Sequence, residues 1–235
     1  MYSFDSTIRF SEVDHRGTLP LPGIINYFQD CTIQHSDSLG VGMEYLMEQK
    51  KGWILSSWQI IVERYPKMGE KVKICTWPTG FKGFLGTRNF ILEDENGEKL
   101  AYANSIWVFM DFEKGRPAKP DADLIDRYDC GAPLEMEYAP RKIAVPDSLQ
   151  EAGAFKVRRY QIDTNEHMNN AQYVKLALEV LEDIPVREVR VEYKKSAVYN
   201  DIVYTKIVKE EHRTVVTLGD AEDNTYAVVE LIGEL

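Results

Sequence analysis

The residues best suited to chemistry are Asp163, Asn165 and His167, which place a carboxylate, an amide and an imidazole at alternate positions of one short stretch. Carboxylates and imidazoles transfer protons near neutral pH, and an amide orients a water or a reacting carbonyl. The stretch, Asp163–Asn170, follows a strand-like run over Phe155–Ile162. Its side chains are therefore candidates for acid–base chemistry on a connection between two elements.

A helix is predicted directly after this stretch, over Ala171–Asp183, because apolar residues recur there at helical spacing. These residues are Tyr173, Leu176, Ala177, Val180 and Leu181. Asn169 or Asn170 is expected to cap the N-terminus of the helix, and Pro185 follows its end. The candidate residues are thus expected on a tight turn at a helix N-terminus.

A helix N-terminus offers unpaired N–H groups and the positive end of the helix dipole, which favour developing negative charge. That setting suits the polarisation of a carbonyl and the stabilisation of an oxyanion. Asp and Asn also occur in turns for purely local reasons, however. At this point a structural role for the whole stretch stays open.

Composition narrows the class of protein. The 235 residues, 44% of them hydrophobic, suffice for one large domain or two small ones. A net charge of −10 argues against general nucleic-acid binding, which needs a basic face. The scattered Cys31, Cys75 and Cys130 suggest a reducing compartment, and with no leader pattern at the N-terminus and no membrane-length apolar run we expect a cytoplasmic protein.

The order of predicted elements occurs twice along the chain. Each copy reads as a strand, a helix and four strands, and Asp14 matches Asp163 while Glu70 matches Asp201. The first copy comprises a strand over 2–13, a helix from Ile24 to Gly40, and strands over 53–62, 71–78, 87–94 and 99–111. The second comprises the strand over 155–162, the helix over 171–183, and strands over 186–193, 201–210, 213–219 and 226–235.

Prolines are frequent between the two copies and interrupt regular structure there. We therefore predict an N-terminal unit over residues 1–130, a proline-containing linker over 131–154, and a C-terminal unit over 155–235. One short helix is expected within Ala122–Tyr128. Because a helix must bury its apolar face, each unit is expected to pack its helix on an antiparallel sheet.

The chain resembles the acyl-[acyl carrier protein] thioesterase family. The resemblance rests on the pattern Asp163-x-Asn165-x-His167-x-Asn169-Asn170-x-x-Tyr173, on Glu192-Tyr193-Lys194-Lys195, and on Tyr65-Pro66, Thr76-Trp77-Pro78 and Asn104–Asp111 in the first half. It extends over nearly the whole chain. It implies an α+β fold of two tandem hotdog units, with a long antiparallel sheet wrapped around two long helices.

The resemblance also implies function. It assigns thioester hydrolysis to Asp163, Asn165 and His167, with no cofactor and no metal ion, and places the acyl pocket largely in the first unit. The implied substrate is a fatty acyl thioester on acyl carrier protein, and the implied product is a free fatty acid. The protein itself would be a monomer or a homodimer. Whether Asp163 or His167 acts as base or nucleophile stays open.

The family pattern is broken at one place. Family members commonly carry Glu after the two basic residues, followed by Cys in plant members, whereas this chain has Ser196 and Ala197. Ser196 and Asn169 are further candidates to contact the substrate. The missing Glu keeps two alternatives open: an acyl-CoA thioesterase, and a hotdog protein that binds acyl thioesters without hydrolysing them.

Docking of an acidic carrier protein onto an acidic chain requires a local basic patch. Arg158, Arg159, Lys194 and Lys195 are candidates for this patch, and all four lie in the second half of the chain. The alternative is that these four side chains form ordinary solvated strand faces.

Overall fold

A computed structural model describes residues 1–181 and 186–233. The chain forms two compact units, Met1–Ala139 and Pro140–Leu235, and each has the helix-on-antiparallel-sheet arrangement predicted from the repeat. The α+β class is thereby confirmed. Within the described ranges, no helix combines the length and the apolar character that crossing a lipid bilayer requires.

The first unit is an antiparallel sheet with one long helix. Its helices are α1, Leu21–Ser38, α2, Met43–Glu48, and α3, Ala122–Asp126, with a 3-10 helix at Phe10–Glu12. Its strands are β1, Tyr2–Thr7, β2, Lys51–Val62, β3, Lys71–Lys82, β4, Leu85–Asp94, β5, Lys99–Asp111, and β6, Arg116–Pro117. The order across the sheet is β1-β3-β4-β5-β2, and β6 pairs with β5.

Helix α1 buries one face against this sheet, as its apolar spacing predicts. Phe28 is fully buried and packs on Phe90 and Trp58 of the sheet, with ring centroids 5.0 and 6.1 Å away. Gly40 follows the helix in the left-handed conformation, with φ 68°, which is the conformation expected of a glycine that ends a helix. The predicted helix from Ile24 to Gly40 is confirmed, with a start three residues earlier, at Leu21.

The second unit repeats this arrangement. Its helix is α4, Asn170–Glu179, preceded by a 3-10 helix at Arg159–Gln161. Its strands are β7, Gln150–Lys156, β8, Val186–Tyr193, β9, Ile202–Lys209, β10, Arg213–Gly219, and β11, Thr225–Gly233. They lie in the order β8-β11-β10-β9-β7, and all described pairs are antiparallel.

Helix α4 begins close to the predicted position and ends earlier. Its buried residues include Tyr173, Leu176 and Ala177, which belong to the predicted apolar face. The helix ends at Glu179, so its predicted continuation through Val180 and Leu181 is wrong. Asp183, the predicted last residue, and Pro185, the predicted stop, lie outside the described residues.

Two predicted strands are too long, and for one physical reason. The strand predicted over 2–13 ends at Thr7, and the one predicted over 155–162 ends at Lys156. In both cases a 3-10 turn replaces the end of the strand, because a backbone N–H donates to the side chain three residues later in the chain. The N–H of Arg9 donates to Glu12, and the N–H of Arg158 donates to Gln161, both at 2.8 Å. Alternating apolar residues gave no sign of these local bonds.

The connection between the two copies is partly regular. Strand β7 begins at Gln150, so the last residues of the predicted 131–154 linker are extended and paired with β9. Helix α3 lies within the predicted 122–128 range. The boundaries 1–130, 131–154 and 155–235 remain a proposal beside the two compact units, which meet at Ala139 and Pro140.

Left-handed residues occur at matching turns of the two units and support a duplication. Gly69 and Asn200 have φ 82° and 74°, and their N–H groups bond the carbonyls of Ile8 and Val157, which are equivalent residues. In the hairpin turns, Gly97 with φ 80° corresponds to Asp223 with φ 62°. From the sequence alone, Glu95-Asn96-Gly97 matches Glu222-Asp223-Asn224 as a hairpin turn, which pairs Gly97 with Asn224 and is wrong by one residue.

Glu230 ties the start of the second unit to its sheet. Its carboxylate is buried, 3% exposed, and forms ion pairs with Arg190 and Arg213. Arg213 also donates to the carbonyl of Ala144 at 2.6 Å, and Arg190 to that of Pro140 at 2.5 Å. The segment that precedes β7 is therefore held on the sheet by two guanidinium groups that share one carboxylate.

Glu230→Ala is expected to destabilise the protein by about 2–3 kcal/mol, because it removes the buried carboxylate that two half-buried guanidinium groups share. The matched control is Glu210→Ala, which removes the exposed partner of the same Arg213, at 3.1 Å, and is expected to cost at most about 1 kcal/mol. Urea unfolding should be followed by far-ultraviolet circular dichroism, since all four tryptophans lie in the first unit. Equal losses for the two variants would contradict the role of Glu230.

Candidate active site

The candidate stretch forms a turn organised by the Asp163 carboxylate. Its Oδ1 accepts the N–H of Asn165 at 2.8 Å, and the Asp163 N–H donates to the carbonyl of His167 at 2.8 Å. A further bond runs from the N–H of Glu166 to the carbonyl of Asp163, at 3.1 Å. The three candidate residues therefore lie together on one closed turn, as the sequence predicted.

The first unit contains the same turn at Asp14. Its Oδ1 accepts the N–H of Arg16 at 3.0 Å, and the Asp14 N–H donates to the carbonyl of Thr18 at 2.9 Å. Gly17 and Glu166 occupy equivalent positions with φ 73° and 62°. The backbone frame is therefore common to both units, and the second unit differs by carrying Asn and His where the first has Arg16 and Thr18.

The side chains on this frame are available to a substrate. Asn165 and His167 are exposed, and Asp163 is half-buried. Within residues 1–181 and 186–233, the Asn165 amide and the His167 imidazole form no side-chain hydrogen bond, and the second carboxylate oxygen of Asp163 has no donor. In this structure Asp163 and His167 are thus joined through the backbone and not through their side chains.

Asn169 caps helix α4. Its Oδ1 accepts the N–H of Ala171 at 2.9 Å, and its own N–H donates to the carbonyl of Gln161 at 2.8 Å. The predicted N-cap is confirmed, and the positive end of the helix faces the same turn as His167. Because the amide oxygen serves the cap, a role of Asn169 in substrate binding stays a prediction.

The connection between β8 and β9 is attached to the candidate turn. The N–H of Met168 donates to the carbonyl of Ala197 at 2.8 Å, and the N–H of Ala197 donates to the Tyr173 hydroxyl at 2.8 Å. All three residues are at most 2% exposed. Ser196, the residue before Ala197, is exposed and is therefore held beside the turn.

Tyr173 is a positioning residue that sequence reasoning did not assign a task. Burial raises the pKa of its phenol to about 12, so it stays neutral at physiological pH and keeps a hydroxyl to accept the Ala197 N–H. Its ring packs edge-on against Tyr193, whose hydroxyl donates to the carbonyl of Asn170 at 3.0 Å. The signal in the sequence was the position of Tyr173 in the family pattern, which gave no role.

The four basic candidates are all exposed, and two already have partners in the protein. The Arg159 guanidinium lies 5.0 Å from the ring centroid of Tyr199. Lys195 lies 3.5 Å from the Asp220 carboxylate and over the ring of Tyr226. Arg158 and Lys194 complete the set on the two segments that flank the turn.

The positive φ at Glu166 generates a paired prediction. Gly17→Glu should lower the free energy of unfolding by about 1–2 kcal/mol, because a residue with a Cβ is strained in the left-handed conformation of Gly17. No steric clash adds to this cost, since no atom lies within 4 Å of an added Cβ. Glu166→Gly should be neutral or stabilise by up to about 1 kcal/mol, since relief of strain is partly offset by the entropy of the unfolded glycine. Urea unfolding of both variants tests this, and destabilisation by Glu166→Gly would refute the equivalence of the turns.

Comparison with family models covers most of the chain. The model of the acyl-ACP thioesterase N-terminal domain matches residues 1–128, and that of the acyl-ACP thioesterase C-terminal domain matches residues 146–230. The chain is 28% identical to oleoyl-acyl carrier protein thioesterase 1, chloroplastic, of Arabidopsis thaliana over 225 residues, which cover 86% of this chain and 62% of that protein. It is 24% identical to palmitoyl-acyl carrier protein thioesterase, chloroplastic, of Gossypium hirsutum over 250 residues, which cover 98% and 60%.

This chain spans about 60% of the length of these curated relatives. Among solved structures, an acyl-ACP thioesterase from Bacteroides thetaiotaomicron has a TM-score of 0.91 at 23% identity, with 99% of this chain and 97% of that chain covered. The 12:0-ACP thioesterase of Umbellularia californica has a TM-score of 0.86 at 18% identity, with 99% and 96% covered. These likenesses confirm the fold of two hotdog units, and the two matching domain models show that the chain belongs to the acyl-ACP thioesterase family.

Proposed function

We propose that this protein hydrolyses fatty acyl thioesters carried on acyl carrier protein, releasing a free fatty acid and the carrier thiol. The observation that carries the proposal is the Asp163 turn, which presents Oδ2 of Asp163, the Asn165 amide and the His167 imidazole at the N-terminus of α4, none of them bonded to another side chain in the described part of the protein. The relatives named above as oleoyl- and palmitoyl-acyl carrier protein thioesterases supply the substrate class.

Hydrolysis requires a water to add to the thioester carbonyl and the carbon–sulfur bond to break. The water gives up a proton as its oxygen attacks, and the departing sulfur takes a proton to become a thiol. The negative charge that develops on the carbonyl oxygen is stabilised by hydrogen-bond donors and by the positive end of a helix. Asn165 supplies a donor amide, and α4 supplies the helix end.

His167 and Asp163 are the proposed proton-transfer pair. A neutral imidazole accepts the proton of the attacking water and returns a proton to the leaving sulfur. The Oδ2 atom of Asp163 remains available to hold the water, because Oδ1 is occupied by the Asn165 N–H. Direct attack by Oδ2 on the thioester is the alternative chemistry for the same atom.

Ser196 occupies the place where family members commonly have Glu, so one carboxylate of the family pattern is missing. This observation favours the second candidate, a protein that binds acyl thioesters without hydrolysing them. A thiol-release assay with acyl-carrier protein and acyl-CoA separates the candidates. Release from the carrier protein supports the proposal, release from CoA alone indicates an acyl-CoA thioesterase, and binding without release indicates the non-catalytic protein.

The carrier protein is proposed to dock on Arg158, Arg159, Lys194 and Lys195, which form an exposed basic set on the segments flanking the turn. Attraction between this set and an acidic carrier would act locally, against the net charge of −10. The oligomeric state, the absence of a cofactor and a cytoplasmic location stay predictions.

Asp163→Ala, Asn165→Ala and His167→Ala are each expected to lower kcat for thioester hydrolysis by about a hundredfold or more, the scale of a lost acid–base or positioning group. The matched controls are Asp14→Ala and Thr18→Ala, because they alter the same backbone frame in the first unit. They should cost comparable stability and leave kcat within about threefold. Wild-type turnover by folded Asp163→Ala and His167→Ala variants would overturn the assignment.

Reversing Lys194 and Lys195 to Glu should raise KM for acyl-carrier protein at least about tenfold and change KM for acyl-CoA much less. The difference should shrink with added salt, because exposed charges are screened over about 10 Å at 0.1 M. Reversal of Lys71 and Lys73, exposed or half-exposed on β3 of the first unit, changes the net charge equally and serves as control. Equal effects of both pairs would assign the result to overall charge and not to docking.

A further inference from the structure

Arg88 is a buried cation in the first unit that the proposed chemistry does not use. It lies on β4, is 6% exposed, and occupies the sheet face that also carries Phe90, two residues along the strand and packed on α1. Its Nη1 contacts Nδ1 of His35 at 2.9 Å and donates to Oγ1 of Thr76 at 3.2 Å. Arginine is rarely buried without a charged partner, so this position calls for an explanation.

The partners of Arg88 do not neutralise it. A guanidinium only donates, so Nδ1 of His35 must be the acceptor and the imidazole must be neutral. Burial, reinforced by the Arg88 charge, lowers the pKa of His35 to about 4, which agrees with this state. Burial also lowers the pKa of Arg88 to about 10, which leaves it protonated at neutral pH.

No carboxylate in residues 1–181 and 186–233 forms an ion pair with Arg88. The Tyr128 ring, with its centroid 5.7 Å from Cζ, and the C-terminal end of α1 near His35 offset only part of an uncompensated buried charge. A buried cation in a protein is normally paired with an anion. The pairing anion is therefore absent from the described chain.

The free edge of the guanidinium has the geometry of an anion site. Nη1 makes both hydrogen bonds, while Nε and Nη2 have no partner among the described residues and, unlike the fully buried indole Nε1 of Trp58, keep a small solvent-accessible area through which a ligand can reach them. These two atoms form the side-on fork that matches the two oxygens of a carboxylate. An isolated cation with this edge unpaired is complementary to a planar carboxylate and not to a hydrocarbon.

A second unpaired donor lies in the same row of the sheet. Arg88 on β4 lies directly opposite Ser105 on β5, and Ser105 lies directly opposite Trp58 on β2. The three side chains therefore form one row across the strands on the same face of the sheet. Trp58 is 2% exposed, and its indole Nε1 has no acceptor within the described ranges. Aromatic rings surround the row, including Phe90, whose centroid lies 4.9 Å from that of Trp58. A ligand here needs oxygen atoms on an apolar body.

We propose that the first unit binds a carboxylate carried at the end of a hydrocarbon chain, with Nε and Nη2 of Arg88 as its anchor. Two sources share this chemistry. One is a free fatty acid, and the other is the far carboxylate of an acyl chain derived from a dicarboxylic acid. The second source rests on the proposed thioesterase function, whereas the first does not.

The test is isothermal titration of the full chain with decanoate and with 1-decanol, both below their aggregation limits. Decanoate should bind wild type, and Arg88→Met should raise its Kd by at least about tenfold, since a charge-assisted bidentate pair is lost. The Kd of 1-decanol should change less than about twofold. The control is Arg64→Met, which removes an exposed arginine of the same unit that pairs with Glu70 and should leave both Kd values unchanged.

The thermal midpoint without ligand separates a binding role from a structural one. Relief of the unpaired charge offsets the loss of the hydrogen bonds to His35 and Thr76, so the midpoint of Arg88→Met should stay close to that of wild type, whereas a structural ion-pairing role would lower it markedly. Should Arg88→Met fail to fold, Arg88→Lys replaces it, because lysine keeps the charge and lacks the fork, and its Kd for decanoate should still rise at least about threefold. A folded variant with unchanged decanoate affinity overturns the proposal.

Kinetics distinguish the two sources. If the anchor recognises an acyl substrate, Arg88→Met should lower kcat/KM for the half-thioester of decanedioic acid at least about tenfold relative to the decanoyl thioester. If only the Kd for decanoate changes, the ligand is the free acid. If the wild-type protein hydrolyses no thioester, the proposed function is refuted but the titration result is unaffected. If Arg88→Met changes neither the Kd for decanoate nor kcat/KM for the half-thioester, the carboxylate site is refuted.

Discussion

The hydrogen bond from the Asn165 N–H to the Asp163 carboxylate is the contact on which the candidate site depends. It closes the turn between the 3-10 helix at Arg159–Gln161 and α4, and so fixes where the chain changes direction. The same carboxylate is also a candidate for the chemistry: Oδ1 accepts the N–H that closes the turn, and Oδ2 is the atom proposed to act on water or the thioester. The side chains of Asn165 and His167 project from a frame that needs neither of them to form.

A second contact places the remaining candidate group. Because the backbone of Ala197 bonds both Met168 and the Tyr173 hydroxyl, the connection after β8 is fixed to the turn at one point and to α4 at the other. Residues separated by about thirty positions in the chain are thus brought to one surface by a buried peptide group and a phenol. Ser196 gains its position from its neighbour Ala197, since its own side chain forms no hydrogen bond with any residue that the structure describes.

The sequence was most informative where periodicity or a repeat determined the outcome. The helices at Leu21 and Asn170, the duplicated order of elements and the cap at Asn169 all follow from spacing and residue type. The strand ends at Thr7 and Lys156 could not be predicted in this way. Each is determined by one hydrogen bond to a side chain, that of Glu12 or Gln161, which leaves the alternation of apolar residues unchanged. The burial of Arg88 on the helix-facing side of β4 could not be predicted from the sequence either, because the alternation of a strand does not show which polar side chain points toward the core.

The two aspartate turns show which parts of the motif the two units share and which parts only the second unit has. The first unit has Asp14 with its carboxylate bond to a backbone N–H, both backbone–backbone bonds of the turn and the left-handed residue, while Arg and Thr stand at the positions of Asn and His. In this chain the frame therefore forms without the amide and the imidazole, so folding alone is reason enough to keep the aspartate. Conservation of the aspartate among relatives would then report on architecture, and only the amide and imidazole positions would distinguish a working copy from a silent one.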